Sequence, residues 1–153
     1  MARYLVVAHE TSTNPKLTEE LENIAKDDAE AEFVLLVPAT PVKHLLMWRD
    51  DPAEEKAIAE QRAAAAQAMF EQEGLAIVAS KVGAESPIDA IDAEVRANPG
   101  AYAGFVISTL PKEHSRWQRM QLPRVIRDKY GLPVHHVELT PTQLRYWLPV
   151  DEA

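Results

Sequence analysis

The sequence predicts an α/β protein: one domain built on a five-stranded, parallel, doubly wound sheet of the Rossmann-like kind. Two observations lead to this fold class. Five short apolar runs recur along the 153 residues, each rich in β-branched or aromatic residues, as strands buried on both faces are. A stretch with helical spacing separates each run from the next. Strand–helix–strand units with right-handed crossovers build a parallel sheet.

The first half of the chain supplies two of the predicted strands, residues 4–8 and 32–37. Between them, Asn14 is placed to cap a helix that Pro15 begins. Residues 38–50 contain two prolines and predict a long excursion over the carboxyl edge of the sheet. The first helix is predicted to bury an apolar face made of Leu17, Leu21, Ile24 and Ala25.

A long second helix is predicted from an acidic cap at Asp51 to about residue 73, with Gly74 closing it. Its sequence is rich in Ala, Glu and Gln, which favour helix. One side of it is predicted to carry Ile58, Arg62, Ala65 and Met69. The third strand, residues 76–82, is more polar than the first two, so we expect it near an edge of the sheet.

The pair Ser86-Pro87 predicts the cap and first turn of a third helix. Residues 104–107 form the most apolar strand, which we expect to leave the sheet through Ser108 and Thr109. Residues 134–139 form the fifth strand. The inner faces of the last two helices are predicted to be Ile88, Ile91 and Val95, then Leu122, Val125, Ile126 and Tyr130, with Gly131 closing the second.

Composition excludes several classes of protein. The chain has no cysteine, which rules out a disulfide framework and thiolate metal sites. Its net charge is −8, which argues against a general nucleic-acid binder. No apolar run approaches the roughly 20 residues of a membrane span, and the first eight residues are too short for a signal peptide. We therefore expect a cytoplasmic protein with neither a nucleic acid nor a membrane as partner.

Four phrases of the chain resemble the universal stress protein family when they are taken in order. They are residues 4–12 (YLVVAHETS), 83–88 (GAESPI), 103–109 (AGFVIST) and 131–137 (GLPVHHV). The resemblance covers residues 3–139 and implies one α/β domain over residues 1–139, followed by a tail, residues 140–153. Ser115-Arg116-Trp117 is similar to a subgroup of the family that has Ser-Arg-Trp after the fourth strand.

The chain departs from the ATP-binding members of that family after the fourth strand. Pro111 and His114 stand where those members have their first two glycines, and Met120-Gln121 falls near the later Gly-Ser pair. Glycines let a backbone present its N–H groups to phosphates, whereas proline has no N–H. His9 replaces the family's aspartate at the end of the first strand. The resemblance therefore implies no cofactor, with ATP or AMP possible but disfavoured.

Candidate ligand-binding residues follow the strands that meet at the predicted switch point of the sheet. In an open α/β sheet, ligands bind at the carboxyl ends of the strands. Arginine and lysine there could hold an anion without glycines. The alternative is that these residues form a solvated loop whose basic side chains pair with acidic neighbours. The candidate residues are His9, Thr11, Val37, Ser108, Thr109, Lys112, Ser115 and Arg116.

The sequence contains no recognisable catalytic constellation. It lacks the G-x-S-x-G elbow, the Walker sequence and the GxGxxG turn. His135 and His136 are adjacent in a strand and face opposite sides, so we expect no metal site there. Catalysis is left open but not favoured, with an enzyme of the wider nucleotide-α-hydrolase group as the weakest hypothesis.

Two hypotheses for function remain. The first is a non-catalytic homodimer of the universal stress type, a sensor or scaffold with a degenerate nucleotide pocket, paired through the fifth strand and the tail. The tail carries Leu144, Tyr146, Trp147 and Leu148, an apolar set that we expect to pack on its own domain or on the partner. The second is a binder of a small anion or a nucleotide at the carboxyl edge of the first and fourth strands.

Overall fold

The computed structural model has one five-stranded sheet in the order β3-β2-β1-β4-β5, and every strand pair is parallel. The structure describes residues 2–9, 11–39, 52–110 and 115–138. The elements are β1 (Arg3–Val7), α1 (Pro15–Asp27), β2 (Glu32–Pro38), α2 (Pro52–Gln72), β3 (Ile77–Gly83), α3 (Pro87–Ala97), β4 (Gly104–Thr109), α4 (Arg116–Arg119), α5 (Leu122–Tyr130) and β5 (Val134–Glu138).

The strand order confirms the predicted doubly wound topology. From β1 the chain moves outward through β2 to β3, then crosses to β4 and moves outward to β5 on the other side. The order therefore reverses between β1 and β4, where Val7 is paired with Ile107. This reversal opens a crevice at the carboxyl ends of these two strands. The expected place of β3 at an edge is also confirmed.

Two hydrophobic layers hold the helices on opposite faces of the sheet. One layer joins α1 and α2 to the sheet through Leu17, Leu21, Phe33, Leu35 and Phe70. The other joins α3, α4 and α5 through Leu5, Ile91, Phe105, Trp117 and Ile126. All six residues of β4 are buried, as expected of a central strand covered on both sides.

The predicted helix termini are confirmed in three places. The Asn14 side chain accepts a hydrogen bond from the Lys16 amide at 2.8 Å, and Pro15 begins α1. The Ser86 hydroxyl accepts one from the Asp89 amide at 3.3 Å. Gly131 closes α5 with a φ of 65°, a conformation that glycine adopts without steric cost.

The side of α2 that the sequence singles out is not the side that faces the sheet. The buried residues of this helix are Glu55, Ala59, Ala63, Ala66 and Phe70. Ala65 is exposed, whereas Ile58, Arg62 and Met69 are half-buried on a flank of the helix. The sheet therefore meets a row of alanines, which lets α2 lie close to β2 and β3. An alanine-rich helix has little amphipathic signal from which this face could have been predicted.

Two smaller corrections concern the carboxyl half. Ser108 and Thr109 do not leave the sheet but are the last two residues of β4. A short helix that was not predicted, α4, precedes α5. The long excursion after β2, the cap at Asp51, the fifth strand beyond Glu138 and the tail at 140–153 lie wholly or largely outside the described residues.

Candidate functional site

Buried polar side chains of the described residues are concentrated at the carboxyl edge of the sheet. They come from the loop after β1, the first turn of α1, the end of β4 and the start of α4. A buried polar group that lacks a hydrogen-bonding partner lowers the stability of the folded state, so the partners of these side chains matter. The set is His9, Thr11, Ser12, Asn14, Thr18, Ser108, Thr109 and Ser115.

His9 is the side chain with the most unusual environment. It directly follows the end of β1 and is 4% exposed. Both ring nitrogens are buried without a hydrogen-bonding partner. Burial, and secondarily the positive charge of Arg62, lower the pKa of His9 from 6.5 to about 4. His9 is therefore a neutral imidazole at physiological pH, with one donor and one acceptor unused.

Thr11 and Ser108 join the two strands that flank the crevice. Their hydroxyl oxygens lie 2.5 Å apart and share one buried hydrogen bond. Thr11 is held by a turn in which the Ser12 amide donates to the His9 carbonyl and the Asn14 amide donates to the Thr11 carbonyl. The structure thus brings these two predicted site residues together, but their hydroxyls are hydrogen-bonded to each other.

Thr109 has its own partners on the other side of the crevice. Its Oγ1 lies 2.8 Å from Nε2 of His136 in β5 and accepts a hydrogen bond from the Gln118 side-chain amide at 3.2 Å. The same Gln118 amide donates to the Leu110 carbonyl at 2.8 Å. Gln118 and His136 were missed as site residues, because neither the step from β4 to α4 nor the pairing of β4 with β5 is visible in local sequence.

Of the remaining predicted site residues, Ser115 and Val37 present no free polar side-chain group at the crevice. The Ser115 hydroxyl accepts a hydrogen bond from the Gln118 amide at 3.1 Å and so begins α4. Val37 is buried within the layer under α1 and α2. Lys112 and the Arg116 side chain lie outside what the structure describes. The predicted cluster of Lys112, Ser115 and Arg116 around an anion therefore stays a prediction.

Lys16 is a third residue of this edge that the sequence did not single out as a site residue. From the first turn of α1 its ammonium donates to the main-chain carbonyl of Glu138 at 2.7 Å. It thereby ties the start of α1 to the end of β5. Both burial and the Lys16 charge lower the pKa of His136, against an opposing effect of Glu138. The β4–β5 side of the edge is therefore a closed set of mutual contacts.

The Thr109–His136 pair has the spacing of a nucleophile and its base, but its surroundings do not suit that role. Thr109 is buried, and its oxygen already accepts from Gln118. A nucleophile needs an approach for substrate and a base oriented by a third group. Within the described parts of the chain no such third group is bound to His136, and no cluster of three His, Asp or Glu side chains could hold a metal ion.

We expect Ser108→Ala to lower the free energy of unfolding by about 1 kcal/mol, because it leaves the buried Thr11 hydroxyl without its partner. Urea denaturation measures the change. The double variant Thr11→Val with Ser108→Ala removes both hydroxyls and is expected to recover part of the loss. Equal stability of wild type and the single variant would show that the hydroxyl pair contributes nothing.

Comparison with known proteins supplies an outside test of the architecture. No family model matches the chain, and no curated protein matches it in sequence. Solved structures do match. A universal stress protein family member from Burkholderia pseudomallei superposes with a TM-score of 0.58 at 19% identity, over 89% of this chain and 95% of that one. The chain has the universal stress protein fold.

A second structure leads to the same fold. The universal stress protein from Archaeoglobus fulgidus superposes with a TM-score of 0.57 at 14% identity, over 90% of this chain and 93% of its own. Coverage above nine-tenths of both neighbours means that this chain spans nearly the whole universal stress protein fold. At this identity the likeness concerns the path of the backbone and the order of the strands.

Within the universal stress protein fold, the edge of this chain is built from neutral groups that mostly satisfy one another. Hydroxyl pairs with hydroxyl at Thr11 and Ser108, and hydroxyl with imidazole at Thr109 and His136. His9 and Thr18 are the exceptions among the described residues, since their side chains have no hydrogen-bonding partner. No helix of the described residues is long and apolar enough to cross a membrane. Chemically, the edge is suited to holding strands together, and at His9 to receiving a polar guest.

Proposed function

We propose that this chain is a universal stress protein that has lost the loop by which other members bind ATP. It is a non-catalytic, cytoplasmic homodimer with a degenerate nucleotide pocket, and it acts as a stress-linked sensor or scaffold. The observation that carries the proposal is the mutual hydrogen bonding of Thr11 with Ser108 at the switch point of the sheet. The similar backbone of two universal stress proteins supports the family. The Ser-Arg-Trp phrase at residues 115–117 supports the subgroup.

Two features of this edge disfavour the binding of a nucleoside triphosphate. A ligand that hydrogen-bonded Ser108 or Thr109 would first have to displace their existing partners, so the net gain would be small. None of the five glycines lies between residues 105 and 130. The sequence after β4 therefore lacks the glycines that allow a turn to present its amides to phosphates.

Isothermal titration calorimetry with ATP and AMP, with and without Mg²⁺, tests the degenerate pocket. We expect no binding tighter than roughly millimolar, because the glycines after the fourth strand are missing and His9 stands in place of the aspartate of the ATP-binding members. A nucleotide-binding protein of similar size, titrated under the same conditions, serves as the control. Micromolar affinity for either nucleotide would contradict the proposal.

The homodimer is the second part of the proposal. β5 is an edge strand of the described sheet and is hydrogen-bonded to β4 on one side. Parallel pairing of another copy, or antiparallel pairing about a two-fold axis, would extend the sheet and cover that edge. The apolar residues of the tail add surface for the same contact. Sedimentation velocity at micromolar concentration is expected to give a dimer, and a monomer alone would refute it.

A small anion or nucleotide bound at the same edge is the second candidate function. It is favoured by one observation, the unpartnered and buried imidazole of His9. The hydroxyls of Thr109 and Ser115 do not support it, since both have protein partners. The first function requires a crevice that binds no nucleotide, whereas the second requires a crevice that binds a small anion or a nucleotide. The calorimetry described above distinguishes the two functions for nucleotides.

A further inference from the structure

Three polar groups on one side of the sheet lack the partners that their neighbours have. The two ring nitrogens of His9 and the hydroxyl of Thr18 are buried without a hydrogen bond. Arg62, on α2, forms no salt bridge with an acidic side chain among the described residues. In a chain of 24 acidic and 16 basic residues, an arginine without an acidic partner is unexpected.

Helix geometry places these groups along one groove. On α1, Lys16 and Glu20 reach β5. Thr18 is two residues from each of them and so lies on the opposite flank, toward α2. On α2, Ala59 and Ala63 face the sheet and Arg62 lies on the adjoining flank. α1 and α2 run in the same direction in one layer, with α1 on the β5 side. Arg62 precedes the sheet-facing Ala63 as Lys16 precedes the sheet-facing Leu17, so its flank of α2 also points toward β5 and therefore toward α1.

The direction of α2 brings Arg62 toward the carboxyl edge. The helix connects two parallel strands, so it begins at their carboxyl edge and runs back to their amino edge. Helical side chains lean toward the start of their helix, and the long arginine side chain therefore extends toward His9. Ser80, in the middle of β3, donates to the Ala63 carbonyl at 3.4 Å and fixes this part of α2 at mid-sheet height.

We propose that the groove between α1 and α2, at the carboxyl edge of the sheet, binds a small oxyanion through the Arg62 guanidinium, with His9 and Thr18 as additional donors. The anion is a carboxylate or a phosphate, whose paired oxygens match the guanidinium fork. The proposal rests on the second candidate function, with which it shares His9, and it uses side chains of α1 and α2 in place of the loop after β4.

The chemistry of the three groups suits an anion better than a cation. Arg62 supplies the charge, and the imidazole and the hydroxyl each supply one donor. Glu55, the nearest buried carboxylate on α2, is two turns away and has interactions of its own. The start of α1 is not the site, because Asn14 caps it.

Two-dimensional NMR of the whole chain tests the site. Sodium acetate or sodium phosphate is titrated into ¹⁵N-labelled protein, with sodium chloride holding the ionic strength constant. We expect saturable shifts in the His9 ring and in amides around Thr18 and Arg62. Whichever salt saturates at lower concentration identifies a carboxylate or a phosphate guest. Absence of saturable shifts with both salts would overturn the proposal.

Matched variants separate a specific site from general attraction of anions. Arg62→Gln is expected to weaken binding about tenfold or more, since it removes the charge-assisted hydrogen bonds. Lys56→Gln makes the same change of charge at an exposed position of the same helix and is expected to leave affinity unchanged. Equal weakening by the two variants would overturn the site.

If Arg62→Gln does not fold, Arg62→Lys keeps the charge but loses the planar fork. We expect it to bind more weakly than wild type. Wild-type affinity in Arg62→Lys would exclude recognition by the fork. Failure of this site leaves the nucleotide titration unaffected, because the latter probes ATP and AMP at the β1–β4 crevice.

Discussion

Phe105→Ala is expected to lower the free energy of unfolding by about 3–5 kcal/mol, the largest single effect among the changes considered. Phe105 is fully buried in β4, between Leu5 of β1 and Val134 of β5. Its ring centroid lies 5.5 Å from that of Tyr130, so the ring also fastens α5 to the sheet. Truncation removes buried apolar surface and leaves a cavity in the central strand. Urea denaturation followed by circular dichroism measures the loss.

Two comparison variants make this expectation specific. Phe105→Leu keeps most of the volume and is expected to cost only about 1 kcal/mol, so it stays measurable if the alanine variant does not fold. Val78→Ala removes an apolar side chain that is 47% exposed at the edge of the sheet and is expected to change stability by less than about 0.5 kcal/mol. Similar losses for Phe105→Ala and Val78→Ala would contradict the central place of β4.

The stability of the protein is expected to fall by about 2 kcal/mol as the pH is lowered from 7.5 to 5, through His9 alone. The pKa of His9 is about 4 in the folded protein, compared with 6.5 for a histidine in the unfolded chain. Between pH 4 and pH 6.5 the unfolded chain therefore binds a proton at His9 that the folded protein does not bind. The contribution of His9 to the free energy of unfolding is therefore fully present above pH 6.5. It declines as the pH falls toward 4 and does not change further below pH 4.

A variant without a titrating ring isolates the contribution of His9. His9→Phe keeps an aromatic ring, and its stability is expected to depend less steeply on pH between 7.5 and 5. His136→Gln removes the second histidine of β5, whose pKa is also lowered, chiefly by desolvation, and is expected to keep most of the wild-type slope. Equal slopes in wild type and His9→Phe, measured by urea denaturation at each pH, would contradict a buried neutral His9.

The fold was predictable because its signals are local. Buried parallel strands need continuous apolar runs, and β1, β2 and β4 have them. Helix termini need a side-chain acceptor followed by a residue with a fixed φ, and Asn14-Pro15 and Ser86-Pro87 provide both. The reversal between β1 and β4 follows from right-handed crossovers once five strands are counted. These rules need only neighbouring residues and the handedness of the chain.

The candidate site was predictable in position but not in chemistry. The sequence placed His9, Thr11, Ser108 and Thr109 at one edge, and the structure brings them there. It could not show that Thr11 and Ser108 use their hydroxyls on each other, since they are 97 residues apart. It also could not show that His9 is buried without a hydrogen-bonding partner. Such pairings depend on side-chain directions that only packing fixes.

The sequence by itself determined that the chain forms strands and helices in alternation, and that the connection after the fourth strand lacks glycine. Both are properties of residue type and order. The tertiary structure alone decided which polar groups at the carboxyl edge are satisfied and which are left over. The physical reason is that hydrogen bonding and desolvation depend on distances of a few ångströms between residues far apart in the chain, and those distances exist only once the two hydrophobic layers have packed.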